Sequence, residues 1–356
     1  MINFKKISDL DKFNYIIGDN GSGKSLFLAN KATELSLCRP VIVISFGTFD
    51  KFTYGSRPKM TANGSYTYQG NRTVGNGIHN GTMSANVVIL YTKIINKKRL
   101  KNINDFLESI GFDKRVGISY RETKSKSQYR FDMVDLNASY IKNNHEILSA
   151  KEKPFEGVFY KKGQHFLFSS LSSGEQLIIS TALKIIANSQ DDACFFIDEP
   201  EISLHVEWQV KWPEKFQSLL SIDSNTTAYI ATHSPVIISS ALKSGANCFY
   251  MKEGDLIKID ENDFNVEGII FNEFNTITPD NKYLYTELAD VISSAVEKLS
   301  TGGASAPEEV RKDFEKLKEK ISNTSKTMAS ADAASKTIKD FELAIEDLIR
   351  LSEDLI

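Results

Sequence analysis

Over the first two thirds of the chain, short runs of consecutive apolar residues alternate with segments in which apolar residues recur every three or four positions. Such runs, rich in β-branched residues, are typical of strands buried on both faces of a sheet, and the recurring positions predict amphipathic helices. Strands that alternate with helices predict an α/β fold with a parallel sheet. The predicted strands are 14–17, 41–45, 193–197 and 227–230, and helical spacing covers 26–37 and the residues after 176.

The pattern changes between the second and third of these strands. Residues 47–82 are rich in Gly, Asn, Ser, Thr and Tyr, a composition that favours loops and short hairpins. Helical spacing returns at residue 84, so we expect a helical lobe over 84–190. Within this lobe, short strands are expected at 116–120 and 129–134.

A second change follows Pro279. Residues 300–307 have the composition of a linker. Two apolar stripes, one from Val310 to Ile321 and one from Ile338 to Leu355, then predict a helical hairpin. We therefore expect a head over 1–275 and a C-terminal helical extension over 276–356.

Composition narrows the class of protein. The hydrophobic share of 41% and the charged share of 25% are those of a soluble globular protein, and no apolar run approaches the roughly 20 residues that cross a bilayer. The first residues carry no long apolar region, so a cytoplasmic location without a membrane partner is expected. The three cysteines, Cys38, Cys194 and Cys248, are interpreted as free thiols.

The net charge of −3 conceals a basic stretch between residues 93 and 130. Clustered Lys and Arg side chains can contact a phosphate backbone. Contact with DNA is therefore one interpretation, and a solvated lobe surface is the other. The residues proposed for DNA contact are Lys97, Lys98, Arg99 and Lys101.

Residues 18–25 match the phosphate-binding pattern of Gly, four residues, then Gly-Lys-Ser. A predicted strand precedes this loop and a helix follows it, so backbone N–H groups and a helix N-terminus would face an anion. Lys24 would bridge the β- and γ-phosphates of ATP, and the Ser25 hydroxyl would bind Mg²⁺. The predicted ATP-binding residues of this loop are Asn20, Gly21, Ser22, Gly23, Lys24, Ser25 and Leu26.

Two adjacent carboxylates, Asp198 and Glu199, end the predicted strand 193–197. Carboxylates next to a buried apolar strand would be costly unless a metal or water engages them. We expect Asp198 to hold the Mg²⁺ shell. Glu199 would polarise the attacking water as the general base.

Two further segments complete an ordered set. Leu171-Ser172-Ser173-Gly174-Glu175 precedes a helical pattern, and Thr232-His233-Ser234 follows the predicted strand 227–230. In this order, the four segments resemble the nucleotide-binding head of the ABC ATPase superfamily. The run Asp198-Glu199-Pro200-Glu201, followed by Ser203-Leu204-His205, is similar to the DNA-repair and phage-defence group that includes the SMC, RecF and OLD types. Transporter subunits typically place Thr-Ser-Ala-Leu-Asp after Asp-Glu-Pro, and this chain does not.

The resemblance implies a fold and further site residues. The fold would be a P-loop NTPase head of the ABC type, a mixed sheet with flanking helices, with a helical signature lobe. Segment 172–175 (Ser172, Ser173, Gly174 and Glu175) would contact the γ-phosphate held by a second protomer, and His233 would sense that phosphate. Ser203, Leu204 and His205 would form the D-loop at the dimer interface. A helix cap is the structural alternative for 172–175, and the two interpretations are compatible because a capped helix start attracts anions.

One element of the resembled family has no clear match. A glutamine should contact Mg²⁺ and the nucleotide between the first helix and the signature. Gln69 is better placed for this role than Gln128 or Gln164. No OLD-type nuclease segment follows His233, and the chain is too short between the glycine loop and the signature for SMC-type arms.

The resemblance also implies a function. The chain would be an Mg²⁺-dependent ATPase that forms a homodimer or higher oligomer through its ATP sites. It would control a separate effector protein, a nuclease or toxin, in anti-phage defence or DNA maintenance, with DNA as a further partner. One alternative is a nucleotide-loaded scaffold that holds a toxin or nuclease with little turnover, and a third is a transporter subunit.

Overall fold

The computed structural model describes residues 12–47, 50–55, 57–70, 80–97, 99–120, 134–149, 155–260, 265–274, 282–301, 306–324 and 328–353. The chain folds as two units, Met1–Ile259 and Asp260–Ile356. The sequence predicts a boundary between the head and the C-terminal extension at residue 275. The helix Val266–Phe274 therefore groups with the second unit.

The strands of the first unit form two sheets. In chain order they are β1 Phe13–Ile17, β2 Pro40–Ser45, β3 Lys59–Met60, β4 Ser65–Tyr68, β5 Val116–Tyr120, β6 Val134–Asp135, β7 Phe155–Lys161, β8 Gln164–Leu167, β9 Cys194–Asp198, β10 Thr227–Ala231, β11 Asn247–Lys252 and β12 Asp255–Lys258. The larger sheet has the order β12-β11-β1-β10-β9-β2-β4-β3 and the smaller one β6-β5-β7-β8.

The helices occupy both units. In chain order they are α1 Lys24–Leu35, α2 Asn80–Asn96, α3 Leu100–Ser109, α4 Ala138–Asn143, α5 His145–Ser149, α6 Ser173–Asn188, α7 Val206–Leu220, α8 Pro235–Lys243, α9 Val266–Phe274, α10 Lys282–Thr301, α11 Ala306–Thr324 and α12 Met328–Glu353. No helix within the described ranges combines the length and apolarity that a membrane span requires.

The six inner strands of the larger sheet run parallel, and only its edge strands β12 and β3 pair antiparallel. The four predicted strands correspond to β1, β2, β9 and β10, which lie next to one another in the sheet centre. Their side chains are almost all buried, as expected of strands covered on both faces. The predicted mixed α/β head is confirmed.

One face of this sheet packs on α1. Alternate residues of the strands form a buried cluster with side chains of α1. The strand residues include Val43, Phe196 and Ala231, and the α1 residues include Phe27 and Leu28. Because paired residues of neighbouring strands point to the same face, the next alternate positions, Ser45 and Asp198, also face the α1 side at the strand ends. This places the carboxyl ends of β2 and β9 near the start of α1.

The lobe between β4 and β9 contains the smaller sheet and the helices around it. α2 packs on β7 and on α6, and α6 is buried from Leu177 to Ala187. Ring contacts such as Phe106 with Phe216, centroids 5.6 Å apart, join α3 to α7. The predicted strand 116–120 is β5, whereas the predicted strand 129–134 falls almost wholly outside the described residues.

The second unit has its own apolar core. Leu288 of α10, Phe314 of α11 and Ile345 of α12 belong to one buried cluster. The two stripes predicted from the sequence thus lie on α11 and α12, and α10 supplies a third helix to the same core. Residues 300–307, predicted as a linker, include the end of α10 and the start of α11, and 302–305 lie outside the described residues.

Candidate active site

The glycine loop connects β1 to α1 and needs glycine at specific points. Gly21 (φ 82°) and Gly23 (φ 99°) occupy the left-handed region, where residues with a Cβ are disfavoured. A Cβ on Gly18 would lie 2.7 Å from the carbonyl oxygen of Met251. Asn20 and Gly21 are exposed, so the loop presents its backbone to solvent.

Lys24 begins α1 and turns its side chain back over the loop. Its Nζ donates to the carbonyl oxygens of Gly18 at 2.7 Å and Asp19 at 3.0 Å, and it also contacts Ser22 Oγ at 3.5 Å. Burial lowers the pKa of Lys24 to about 8, although nearby carboxylates, Asp198 first, oppose the shift. The ammonium therefore lies at the loop, where an anion would meet it.

The acidic strand end lies beside this helix start. Asp198 is only 3% exposed. Its pKa is raised to about 7, mainly by burial and further by nearby carboxylates, while a hydrogen bond from Ser25 acts in the opposite direction. The structure thus brings together the two residues predicted to hold Mg²⁺, Ser25 and Asp198.

Glu199 follows in a left-handed backbone conformation with φ 56°. Holding a residue with a Cβ in the left-handed conformation costs on the order of 1–3 kcal/mol, and such strain often accompanies functional sites. Its N–H donates to the carbonyl oxygen of Ala231 at 2.9 Å. A Cβ on Gly47 would lie 2.7 Å from Glu199 Oε2, so this glycine leaves room for the carboxylate.

Two buried oxygens at this strand end have no hydrogen-bond partner within the described part of the chain: Asp198 Oδ1 and Ser45 Oγ. They lie on adjacent strands in direct register. Carboxylate and hydroxyl oxygens are the ligand types that suit Mg²⁺, which usually takes few protein ligands and completes its shell with waters and phosphate oxygens. No group of three or more His, Cys, Asp or Glu side chains with metal-binding geometry occurs among the described residues. The donor set therefore fits Mg²⁺ held together with a nucleotide.

His233 follows β10 and lies next to Lys24. Its Nδ1 is 3.4 Å from Lys24 Nζ. Burial, and then the charge of Lys24, lower the pKa of His233 and so favour the neutral imidazole. The predicted catalytic set of Lys24, Glu199 and His233 therefore gathers at the carboxyl ends of β1, β9 and β10.

The signature segment forms a capped helix start. Ser172 is the N-cap of α6, and its Oγ accepts from the Glu175 N–H at 3.3 Å while the Glu175 carboxylate accepts from the Ser172 N–H at 3.1 Å. Lys161 of β7 pairs with the same carboxylate. Ser172 and Ser173 are exposed. The start of α6 is therefore a capped helix end open to solvent, with its dipole suited to an anion.

The predicted D-loop lies against this helix start. Ser203 has a left-handed backbone, φ 62°, and its carbonyl oxygen would lie 3.2 Å from a Cβ added to Gly174. Leu204 is buried. His205 is exposed and caps α7 by accepting from the Glu207 N–H at 3.4 Å.

Gln69 and Leu26 are less well placed than the other predicted site residues. The Gln69 N–H donates to the Val43 carbonyl oxygen at 2.7 Å and extends β4, which is one strand further from Asp198 than β2. In register, Ser45 is the polar residue beside Asp198. Leu26 is 49% exposed and turns away from the core.

The residues proposed for DNA contact are partly committed to the fold. Arg99 donates to the Ser189 carbonyl oxygen at 2.7 Å and pairs with Asp223 at 2.6 Å, and Lys97 donates to the same carbonyl at 3.1 Å. Both side chains thus donate to a carbonyl oxygen at the C-terminus of α6. Lys98 lies outside the described residues, and Lys101 is exposed.

Two residues of this site, Glu201 and Ser45, were not identified from the sequence. The Glu201 carboxylate accepts from the His233 N–H at 2.5 Å and from Thr232 Oγ1 at 2.8 Å. The sequence signal that could have identified Glu201 is its position two residues after Glu199. Ser45 could have been noted as the polar end of a buried apolar strand.

One family model and two known proteins match parts of this chain. The family model described as AAA ATPase domain matches residues 56–238, just over half of the chain, and includes the signature, the acidic strand end and His233. Protein ea59 of Escherichia phage lambda is 25% identical over 213 residues, which make up 58% of this chain and only 38% of that protein. A solved chain described as an inward-facing conformation of a metal-chelate type ABC transporter aligns with a TM-score of 0.33 and 13% identity, covering 76% of this chain and 82% of its own. The chain belongs to the AAA ATPase domain family.

Proposed function

We propose that the chain is an ATP-gated dimer switch of the SMC, RecF and OLD-like group, in which two heads meet head to tail around shared ATP. The observation that carries this proposal is that both anion-binding elements of one protomer open to solvent. Asn20 and Gly21 of the glycine loop and Ser172 and Ser173 of the signature are all exposed. A two-fold axis can set the loop of one protomer against the helix start of its partner twice.

Exposed apolar side chains support the same interface. Ile202 precedes the D-loop residues, and Val206 and Val210 lie four residues apart on one face of α7. Their exposures are 37%, 56% and 50%. Leu26, beside the glycine loop, is also half exposed. Apolar side chains near both elements would be covered when two heads associate.

Each candidate residue has a role in this dimer. Lys24 would bind the β- and γ-phosphates, and Ser25 and Asp198 would hold Mg²⁺. When bound, Mg²⁺ neutralises phosphate charge and orients the phosphates for in-line attack. Glu199 would accept the proton of the attacking water. His233 would contact the γ-phosphate in its own protomer, and the Ser172 end of α6 would contact it from the partner.

The switch would act on a separate effector protein, a nuclease or toxin, in anti-phage defence or DNA maintenance. Support for this part comes from the sequence run 198–205, which is similar to ATPases of those systems. The described residues give little support to DNA contact through Lys97 and Arg99, since both are engaged by α6. An interaction with DNA would have to use other basic residues, such as Lys101.

The dimer proposal is tested with Glu199→Gln, which keeps the shape of the side chain and removes the base. This variant should form a dimer with saturating ATP and Mg²⁺ in light scattering after gel filtration, and should remain monomeric without nucleotide. Lys24→Ala, which removes the phosphate ligand, is the matched control and should stay monomeric in both conditions. If Glu199→Gln binds ATP and stays monomeric, ATP-gated dimerisation is wrong.

A further inference from the structure

Glu201 joins the two loops that follow β9 and β10. One carboxylate oxygen accepts from the His233 N–H at 2.5 Å, and the other accepts from Thr232 Oγ1 at 2.8 Å. Hydrogen bonds to an ionised acceptor are shorter and stronger than those between neutral groups. Both oxygens of Glu201 are thus directed at the loop that carries His233.

Gln209 of α7 adds a second link between the same loops. Its Oε1 accepts from Ser234 Oγ at 2.6 Å, and its Nε2 donates to the Leu204 carbonyl oxygen at 3.0 Å. Ser234 Oγ also accepts from the Ile237 N–H at 3.2 Å and so caps α8. Each of Thr232, His233 and Ser234 is therefore bonded to a side chain from the segment 201–209.

The segment that carries Glu201 is itself held in place. The Leu204 N–H donates to the Glu201 carbonyl oxygen at 2.9 Å, closing a turn. The carbonyl oxygen of Ser203 in this turn packs against Gly174 in the first helical turn of α6. One turn therefore contacts the signature on one side and, through Glu201, the histidine loop on the other.

We propose that Glu201 is a positioning residue that holds His233 beside Lys24 and ties the histidine loop to the turn 201–205. The inference rests on the proposed contact between His233 and the γ-phosphate. Glu201 bonds the backbone N–H of His233 rather than the imidazole, so it acts through the position of that residue. A shift of the turn at Gly174, where the partner's nucleotide would bind, is thereby transmitted to His233 of the same protomer.

Substitutions separate the bonding role of Glu201 from its charge. In Glu201→Gln, the amide oxygen can still accept from the His233 N–H, and the amide nitrogen can donate to Thr232 Oγ1, which has two acceptor lone pairs. Glu201→Ala removes both acceptors and leaves the His233 loop without its ties. A positioning role therefore predicts that the Gln variant retains function and that the Ala variant does not.

The first measurement is steady-state ATP hydrolysis of the full chain. Glu201→Ala should lower kcat by about 10- to 100-fold, within the range for a mispositioned catalytic group, and KM for ATP should change by less than about threefold because Lys24 and the loop are intact. Glu201→Gln should recover kcat to within about threefold of the wild type. Binding of a fluorescent ATP analogue and the thermal midpoint verify that each variant is folded.

A double-mutant cycle with His233→Ala identifies the residue through which Glu201 acts. Groups that act as a unit are strongly non-additive, so Glu201→Ala should add less than about twofold to the defect of His233→Ala. A full multiplicative loss in the double variant, or a normal kcat in Glu201→Ala, overturns the positioning role. A normal kcat in His233→Ala itself would instead contradict the proposed role of His233. If Glu201→Ala does not fold, Glu201→Asp, which withdraws the carboxylate by one carbon, replaces it in the same cycle.

Discussion

The ammonium nitrogen of Lys24 lies 3.4 Å from Nδ1 of His233, although the two residues are 209 positions apart in the sequence. They meet because β1 and β10 are adjacent parallel strands, so the loops that follow them share one edge of the sheet. Ligands of open parallel sheets bind outside the carboxyl ends of the strands. This pair therefore lies at the centre of the proposed nucleotide site.

The pKa of Lys24 predicts how nucleotide affinity depends on pH. Burial lowers this pKa to about 8, and phosphate oxygens would raise it in the complex, because an opposite charge favours the ammonium form. The complex then binds more protons than the free protein above pH 8. Affinity for ATP should therefore fall above that pH, by up to about tenfold per pH unit.

A titration with a fluorescent ATP analogue at pH 7, 8 and 9, in EDTA, measures this effect. Lys24→Ala serves as the control, and its weaker binding should show no step near pH 8. Affinity of the wild type that stays level from pH 7 to pH 9 would show that Lys24 does not bind the phosphates as an ammonium.

Because Lys184 is buried, the stability of the fold should depend on pH. It lies buried in α6, its Nζ 5.6 Å from the centroid of the Phe46 ring, and burial lowers its pKa to about 8. Between pH 8 and the usual lysine pKa of 10.5, Lys184 is mostly neutral in the folded protein and mostly charged in the unfolded chain. The unfolded chain then binds more protons, so the free energy of unfolding should rise with pH across this window. Lys184→Met removes the desolvated ammonium, so the stability of this variant relative to the wild type should be greater at pH 7 than at pH 10.

Urea denaturation at pH 7 and pH 10 measures the Lys184 effect. The gain from Lys184→Met should shrink at pH 10, where the wild-type side chain is neutral. The half-exposed Lys211 of α7 is the matched control, and Lys211→Met should change stability by less than about 0.5 kcal/mol. A loss of stability in Lys184→Met at pH 7 would mean that the ammonium makes a net favourable contribution.

Arg99 should matter for stability rather than for nucleic acid. It satisfies the Ser189 carbonyl and pairs with Asp223, and the side chains of this ion pair are 18% and 13% exposed. Removing one partner leaves the other charge largely buried, so Arg99→Met should lower the free energy of unfolding by about 2–4 kcal/mol. Lys101→Met, two residues away on an exposed position, should change it by less than about 0.5 kcal/mol. Similar small effects in both variants would contradict the structural role of Arg99.

The glycine loop, the acidic strand end and the histidine loop could be predicted from the sequence because each follows a buried apolar strand. Strands such as Cys194–Asp198 are recognisable by their consecutive apolar residues, and their order along the chain suffices to place their ends at one edge. The capping box of Ser172 and Glu175 was likewise visible as a local pattern. Local signals therefore sufficed to identify these segments of the candidate site.

The remainder depends on contacts between distant segments. The basic residues Lys97 and Arg99 suggested a phosphate-binding surface, but their partner is the end of α6, which the sequence does not bring near them. Glu201 belongs to an ordinary-looking acidic run, and its role depends on the loop after β10. The register that sets Ser45 beside Asp198 is also a property of strand pairing and not of either segment alone.

The shared ATP site is tested most directly by mixing two inactive variants. Lys24→Ala removes the phosphate ligand, and Ser172→Asp retains a good N-cap while placing a negative charge against the partner's γ-phosphate. Each variant alone should hydrolyse ATP at a small fraction of the wild-type rate, with its thermal midpoint unchanged.

An equimolar mixture contains heterodimers in which one of the two sites has both Lys24 and Ser172 intact. No dimer of one variant alone holds such a site, so only the mixed dimers restore an ATP site. ATP hydrolysis by the mixture should therefore be several-fold faster than that of either variant alone. A mixture no more active than its separate components would contradict an ATP site built from two protomers.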